Sequence, residues 1–226
     1  KEKKKLLSGL ASSKTNPNAI ARNISGQVLY GKDHPYGEIT TEETVENITI
    51  EDIRNYYQKY FAPNISYLVI VGDISEDKAK KVAQNRFGKW KKKDVESPKV
   101  PEVKMNDSRK VYFVDKPGAV QSVIRVVNPI MLKPGDEMEI AANVANSILG
   151  GGVFSGYLMQ NLREDKAYTY GARSSLSPDE YVGSFSAYAS VRNEVTDSSV
   201  VEFLRELNRI KNEEVSTDHL NLTLNS

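Results

Sequence analysis

The chain has 226 residues, 39% hydrophobic and 27% charged, which suits one or two folded domains with a sizeable core and excludes disorder. Thirty-one Lys and Arg against 30 Asp and Glu leave a formal charge of +1, so neither nucleic acid nor an anionic membrane surface is an expected partner. Cysteine is absent, which excludes disulfides and thiolate metal sites but leaves the compartment unknown.

The opening KEKKKLLSGLASS reads as the middle of a helix, and the closing STDHLNLTLNS stops without completing an element. The expectation is a fragment of a longer chain. From Asn16, an Asn cap, Pro17 in the first turn and Ile20, Ile24 and Val28 at i+4 steps predict a helix closing at Gly31. TIEDIRNYYQKYF repeats that logic with Thr49 as cap. SYLVIVGDI is a short continuous run of strand formers and predicts a strand buried on both faces, and Ser75 opens a further helix ending near Gly88.

Residues 91–109, rich in Lys and Pro, read as a linker between two domains, 1–90 and 110–226. Beyond it KVYFVD and VQSVIRVVNP predict a hairpin turning at Lys116-Pro117-Gly118. DEMEIAANVANSILGGG predicts a helix with Ile140, Val144 and Ile148 in one stripe and Gly150 in the left-handed position after its end. A shorter helix over 155–164 follows, then the strands KAYTYGARSSLS and YVGSFSAYASVR, then a helix over 196–214 with Val200, Leu204 and Leu207 on one face. Strands and helices without strict alternation give an α+β two-layer sandwich, helices on one face of a largely antiparallel sheet.

No run is long and apolar enough to span a bilayer as a helix. Only His34 and His219 exist, too far apart for a local zinc-binding pair. His34, before Pro in DHPYG, reads as a loop residue. Five Asn-x-Ser/Thr matches, at Asn23, Asn47, Asn64, Asn106 and Asn221, read as chance in an Asn-rich and Ser-rich sequence.

The chemistry concentrates in LGGGVFSGYLMQNLREDKAYTYGARSS, residues 149–175. Bare N–H groups at three glycines could cradle a phosphate, yet no Lys-Ser/Thr follows and no strand precedes them, so helix capping and chain reversal are the better reading. Arg163 sits in the last turn of its helix, and Tyr168 and Tyr170, two apart on a strand, are expected on one sheet face. Pattern alone makes such residues structural more often than functional.

This stretch resembles the pitrilysin or insulinase family of zinc metallopeptidases, whose second-type domains carry a Leu-Gly-Gly-Gly turn and a Leu-Arg-Glu helix end before a Tyr-containing strand. LYGKDHPYGEITTEETVENITIEDIRNYYQKYFAPNISYLVIVGDI resembles the end of that family's preceding domain, and VYFVDKPGAVQSVIRVVNP continues the likeness in order. The resemblance implies an insulinase-like second domain over 110–226 preceded by the end of a homologous domain over 1–90. It implies two halves closing on a peptide, zinc in one half on H-x-x-E-H plus a distal Glu, and an Arg and a Tyr seven positions apart in the other. Arg163 and Tyr170 match that spacing, with Gly150, Gly151, Gly152 and Tyr168 as implied substrate contacts. H-x-x-E-H is absent, and counting seven positions from Glu2 to the expected distal Glu reaches Gly9. Gly156 and Tyr157 replace the family's usual Ser-Arg.

The implied function is therefore the substrate-binding half of a bipartite zinc endopeptidase. It would be inactive alone, hold no metal or cofactor itself, and need a homologous zinc-bearing half as partner and a peptide as substrate. The alternative from the same family is a non-proteolytic structural or interaction subunit. Location remains unknown, with the bacterial periplasm or cell envelope as the expectation.

Overall fold

The computed structural model describes residues 1–105, 108–152 and 155–225; Asn106, with its glycosylation match, lies outside them, as do parts of the 91–109 linker and of the glycine stretch. The chain forms two compact units, one of residues 41–99 and one of residues 1–40 with 100–226. The expected partition at 91–109 groups the first forty residues differently. They join the second half because the helix Pro17–Tyr30 packs on the first strand of the sheet.

Helix α1 spans Glu2–Thr15 and α2 spans Pro17–Tyr30. The α2 cap is as expected: the Asn16 side chain accepts from the backbone N–H groups of Asn18 and Ala19, and Gly31 leaves the helix at φ 85°. His34 is buried; its Nδ1 accepts from the Tyr36 N–H and its ring stacks on Tyr30 at 5.5 Å, the loop role expected of it.

In the unit of residues 41–99, α3 (Glu42–Asn47) and α4 (Ile50–Tyr60) each start with a reciprocal capping box, Thr41 with Thr44 and Thr49 with Asp52. Helix α5 spans Glu76–Phe87. The strand expected in SYLVIVGDI does not form: Tyr67, Val69 and Val71 are 97%, 80% and 92% exposed. In the other unit KVYFVD is likewise unpaired, with Val111 93% exposed, so the expected hairpin is absent. A strand-forming run becomes a strand only where a neighbour offers a ladder of N–H and C=O groups, and among the described residues neither run has one.

Strands β1 (Gln121–Ile130), β2 (Thr169–Ser177) and β3 (Gly183–Arg192) form an antiparallel sheet in the order β1-β3-β2. Helix α6 (Glu139–Asn146) runs on through an i→i+5 turn at Ser147–Gly151, and α7 (Tyr157–Met159) through another at Gln160–Asp165. Helices α8 (Thr196–Asn212) and α9 (Thr217–Leu224) follow, the latter a helix where the sequence showed no completed element. The core lies between one sheet face and the helices. Ile124, Ala172, Ala187, Ala189 and Val191 meet Leu149, Leu158, Leu162 and Phe203 there. The α+β sandwich with helices over an antiparallel sheet is thus the observed architecture.

The expected stripe of Ile140, Val144 and Ile148 holds at Ile148, which is buried, but not at its start, and the stripe of α8 is shifted. Ile140 is 79% exposed, and α8 buries Ser199, Phe203 and Glu206 rather than centring on Val200 and Leu204. A charged residue in the buried stripe moved the apparent apolar face by one position.

Candidate functional site

The helix end carrying Arg163 is fixed from below. Leu162 is wholly buried in the core, and buried Asn161 donates through Nδ2 to both Glu202 (2.8 Å) and Glu206 (2.5 Å) of α8. Lys166 pairs with Glu202 at 3.5 Å. These charge-assisted bonds tie the turn 160–165 to α8 and leave Arg163 little freedom at its root. Sequence reasoning missed this support, although Glu202 and Glu206 at i and i+4 share one face of α8.

Burial alone would raise the Glu202 carboxyl, but the Asn161 hydrogen bond and the Lys166 charge outweigh it and hold the group below the usual carboxylate range. A depressed folded value stabilises the fold fully above the unfolded value of about 4.3, and that contribution is lost as pH falls through the folded value. Urea unfolding between about pH 3 and pH 6 should show this slope, and Glu202→Gln should flatten it.

From that turn the chain enters β2 through Ala167, whose φ of 51° makes the tight reversal a non-glycine residue rarely adopts. A bulge then interrupts β2: Thr169 faces Val191 and Ala172 faces Ala189, so Tyr170 and Gly171 together oppose one residue. The extra residue breaks the alternation that predicted one face for both tyrosines. Tyr168 packs against the core, whereas Tyr170 is 88% exposed. This corrects the expected shared face of Tyr168 and Tyr170.

Arg163 and Tyr170 are brought together. The guanidinium carbon lies 5.1 Å from the Tyr170 ring centroid, a cation–π contact, and Nε stands 3.4 Å from Glu164 Oε1. The Arg163 side chain keeps 30% of its exposure. Helix end and strand start thus place a partly exposed guanidinium against the ring of an exposed phenol. Two concavities of this unit lie along α8 and between α8 and the Asn161 turn, and neither is lined by Arg163 or Tyr170.

The glycines have a different reason from the one expected. Gly150 is buried and is not left-handed, a correction to its reading as a left-handed cap. It is a point of close approach: a Cβ there would lie 2.9 Å from the Ser174 backbone nitrogen and from Leu158 Cδ1. Gly151 is exposed and Gly152 half-buried, and their Cβ atoms would meet Asn146 Nδ2 at 2.5 Å and the Ser147 carbonyl at 3.1 Å. Gly150→Ala, forced against backbone that cannot rotate away, should cost about 1–3 kcal/mol in urea unfolding. Gly9→Ala, exposed in the interior of α1 with nothing within 4 Å, should instead stabilise by roughly 1 kcal/mol.

The residues present do not fit a zinc ion. His34 is committed to capping its turn, His219 packs edge-on against Tyr157, and no group of three His, Asp or Glu is poised for a metal among the described residues.

Residues 47–226 match the family described as "Peptidase M16 inactive domain". The uncharacterized zinc protease SCO5738 of Streptomyces coelicolor is 27% identical over 199 residues, which is 84% of this chain and 42% of that protein. A crystal structure of a peptidase M16 inactive domain from Pseudomonas fluorescens superposes with a TM-score of 0.87 at 22% identity, over 98% of this chain and 53% of that one. Pitrilysin itself shares the fold, with a TM-score of 0.67 at 17% identity over 96% of this chain and 24% of its own. The chain spans about half or less of the proteins it matches. With four-fifths of its residues inside the family match and the pitrilysin fold around them, this chain belongs to the peptidase M16 inactive-domain family.

Proposed function

We propose that this chain is the peptide-binding half of a bipartite zinc endopeptidase. Arg163 and Tyr170 donate to the carbonyl oxygen of the scissile bond, and a homologous half, in the same polypeptide or in trans, holds the zinc. The observation that carries the reading is the juxtaposition of an exposed phenol and a partly exposed guanidinium at 5.1 Å on a rigid helix–strand corner. As the carbonyl is attacked its oxygen gains negative charge, and donors fixed beforehand stabilise that charge without reorganising. Arg163 supplies a permanent positive charge and Tyr170 a neutral O–H, and the cation–π contact holds them in register before substrate arrives. Of the other expected contacts, Gly150 is buried and Tyr168 packs against the core, which leaves Gly151 and Gly152 as the positions a peptide could meet. Gly151, bare of side chain and exposed, can let a peptide backbone approach.

The test is reconstitution. The complete protein carrying this chain should cleave a mixed peptide library by itself where its own polypeptide includes a zinc-bearing half, and otherwise only when combined with a zinc-bearing homologue from the same source; in either case all the zinc should reside in that other half. A stable complex that binds no peptide and cleaves none would favour the structural-subunit alternative.

A further inference from the structure

On the sheet face turned away from the core, β1, β3 and β2 place Arg125, Tyr188 and Arg173 in one cross-strand row: Arg125 pairs with Tyr188, and Tyr188 with Arg173. Partners across an antiparallel ladder point to the same side. That side is fixed because the adjacent residues Ile124, Ala172, Ala187 and Ala189 all face the core. The Arg125 guanidinium lies 5.3 Å from the Tyr188 ring centroid, and Arg173 is exposed on the opposite flank of the same tyrosine.

We propose that this Arg125–Tyr188–Arg173 row binds a carboxylate of the peptide that Arg163 and Tyr170 engage, so that the half selects acidic peptides. The proposal rests on the peptide-binding reading of the Arg163–Tyr170 corner.

The charges argue for it. Lys133, Lys166, Arg192, Arg205 and Arg209 of this unit each stand within 4 Å of a carboxylate. Arg125 and Arg173 form no ion pair among the described residues, and neither does Arg22 of α2, whose charge acts on Arg125. Arg125 Nε is buried without a hydrogen-bond partner. Burial first, and the Arg22 charge second, lower the Arg125 guanidinium's affinity for its proton. A desolvated guanidinium beside a second cation is costly, and the cost is relieved by an anion accepting from its planar fork. The Arg125 guanidinium rests over the Tyr188 ring, and Arg173 stands on the other neighbouring strand across roughly 10 Å of sheet, a span that two long side chains can close over one carboxylate.

Position agrees with chemistry. Tyr170, Arg173 and Ser175 are exposed positions of β2, and the bulge leaves only two register steps of β3 between Tyr170 and Arg173, about 7 Å along the sheet. An extended peptide with its scissile carbonyl at Tyr170 therefore brings a side chain about two residues away to the level of the row. The recognised group is a carboxylate, supplied by a Glu or Asp side chain or by the peptide's own C-terminus.

Fluorescence anisotropy on the complete protein, with labelled decapeptides blocked at both ends and carrying a central Glu or Gln, tests this, together with a neutral decapeptide ending in a free acid or an amide. The expected result is binding on the order of 10-fold tighter for the carboxylate member of one pair; which pair responds identifies the source. Arg173→Gln, at an exposed position that spares folding, and Arg125→Gln, checked by its thermal melt, should each bring that pair to near-equal affinity. Equal binding within both pairs, or a preference surviving in Arg173→Gln and in folded Arg125→Gln, overturns the assignment while the peptide-binding reading stands. Failure of every peptide to bind overturns both.

Discussion

Arg163→Ala and Tyr170→Phe, each introduced into the proposed two-half enzyme, should lower kcat by about 10²–10³ with KM changed little, the loss typical of one oxyanion donor. The split matters because a donor aimed at charge that develops during reaction contributes little while the substrate is merely bound. Tyr170→Phe is the sharper variant. It keeps the ring that stacks under Arg163 at 5.1 Å and removes only the hydroxyl, so a large effect assigns the role to the O–H. Tyr168→Phe is the internal control: Tyr168 packs against the core, so activity should stay near wild type. Peptidase kinetics on all three would decide. Near-wild-type turnover for both Arg163→Ala and Tyr170→Phe would remove this corner from the chemistry.

Much of the fold was readable from the sequence because each part obeys a local rule. Asn16 and Pro17 announce α2, Thr49 announces α4, and alternating apolar residues announce β1 and β3. What could not be read depends on a second piece of chain. The run over 66–71 has the composition of a buried strand, yet composition reports what a segment can pair with, never whether a neighbour is present. The bulge at Tyr170 and Gly171 exists only against β3, and it alone separates the exposed phenol from the packed Tyr168. Gly150 illustrates a different blindness. A glycine needed for positive φ and one needed for contact with Ser174 look the same until the strand is laid against it. Glu206, 3% exposed, is hidden for the converse reason: a carboxylate on a buried stripe reads as a surface residue until Asn161 is found donating to it.

Leu162→Ala should cost about 2–5 kcal/mol of unfolding free energy, with the urea m-value unchanged, although its neighbour Arg163 can be truncated with far less effect on stability. Leu162 is fully buried among Leu158, Ala172 and Phe203, in a core closed on one side by sheet and on the other by α8, so the vacated volume has no mobile wall to fill it. Arg163 is 30% exposed, and its pair with Glu164 and its contact with the Tyr170 ring contribute roughly 1 kcal/mol or less each. The two substitutions therefore separate by readout. Leu162→Ala lowers the urea midpoint while kcat in the folded fraction falls only as far as the Arg163 root loosens, and Arg163→Ala lowers kcat while the midpoint barely moves. If Arg163→Ala instead destabilised the fold as strongly as Leu162→Ala, the guanidinium would be a structural strut of the helix end. Its position beside Tyr170 would then follow from packing alone.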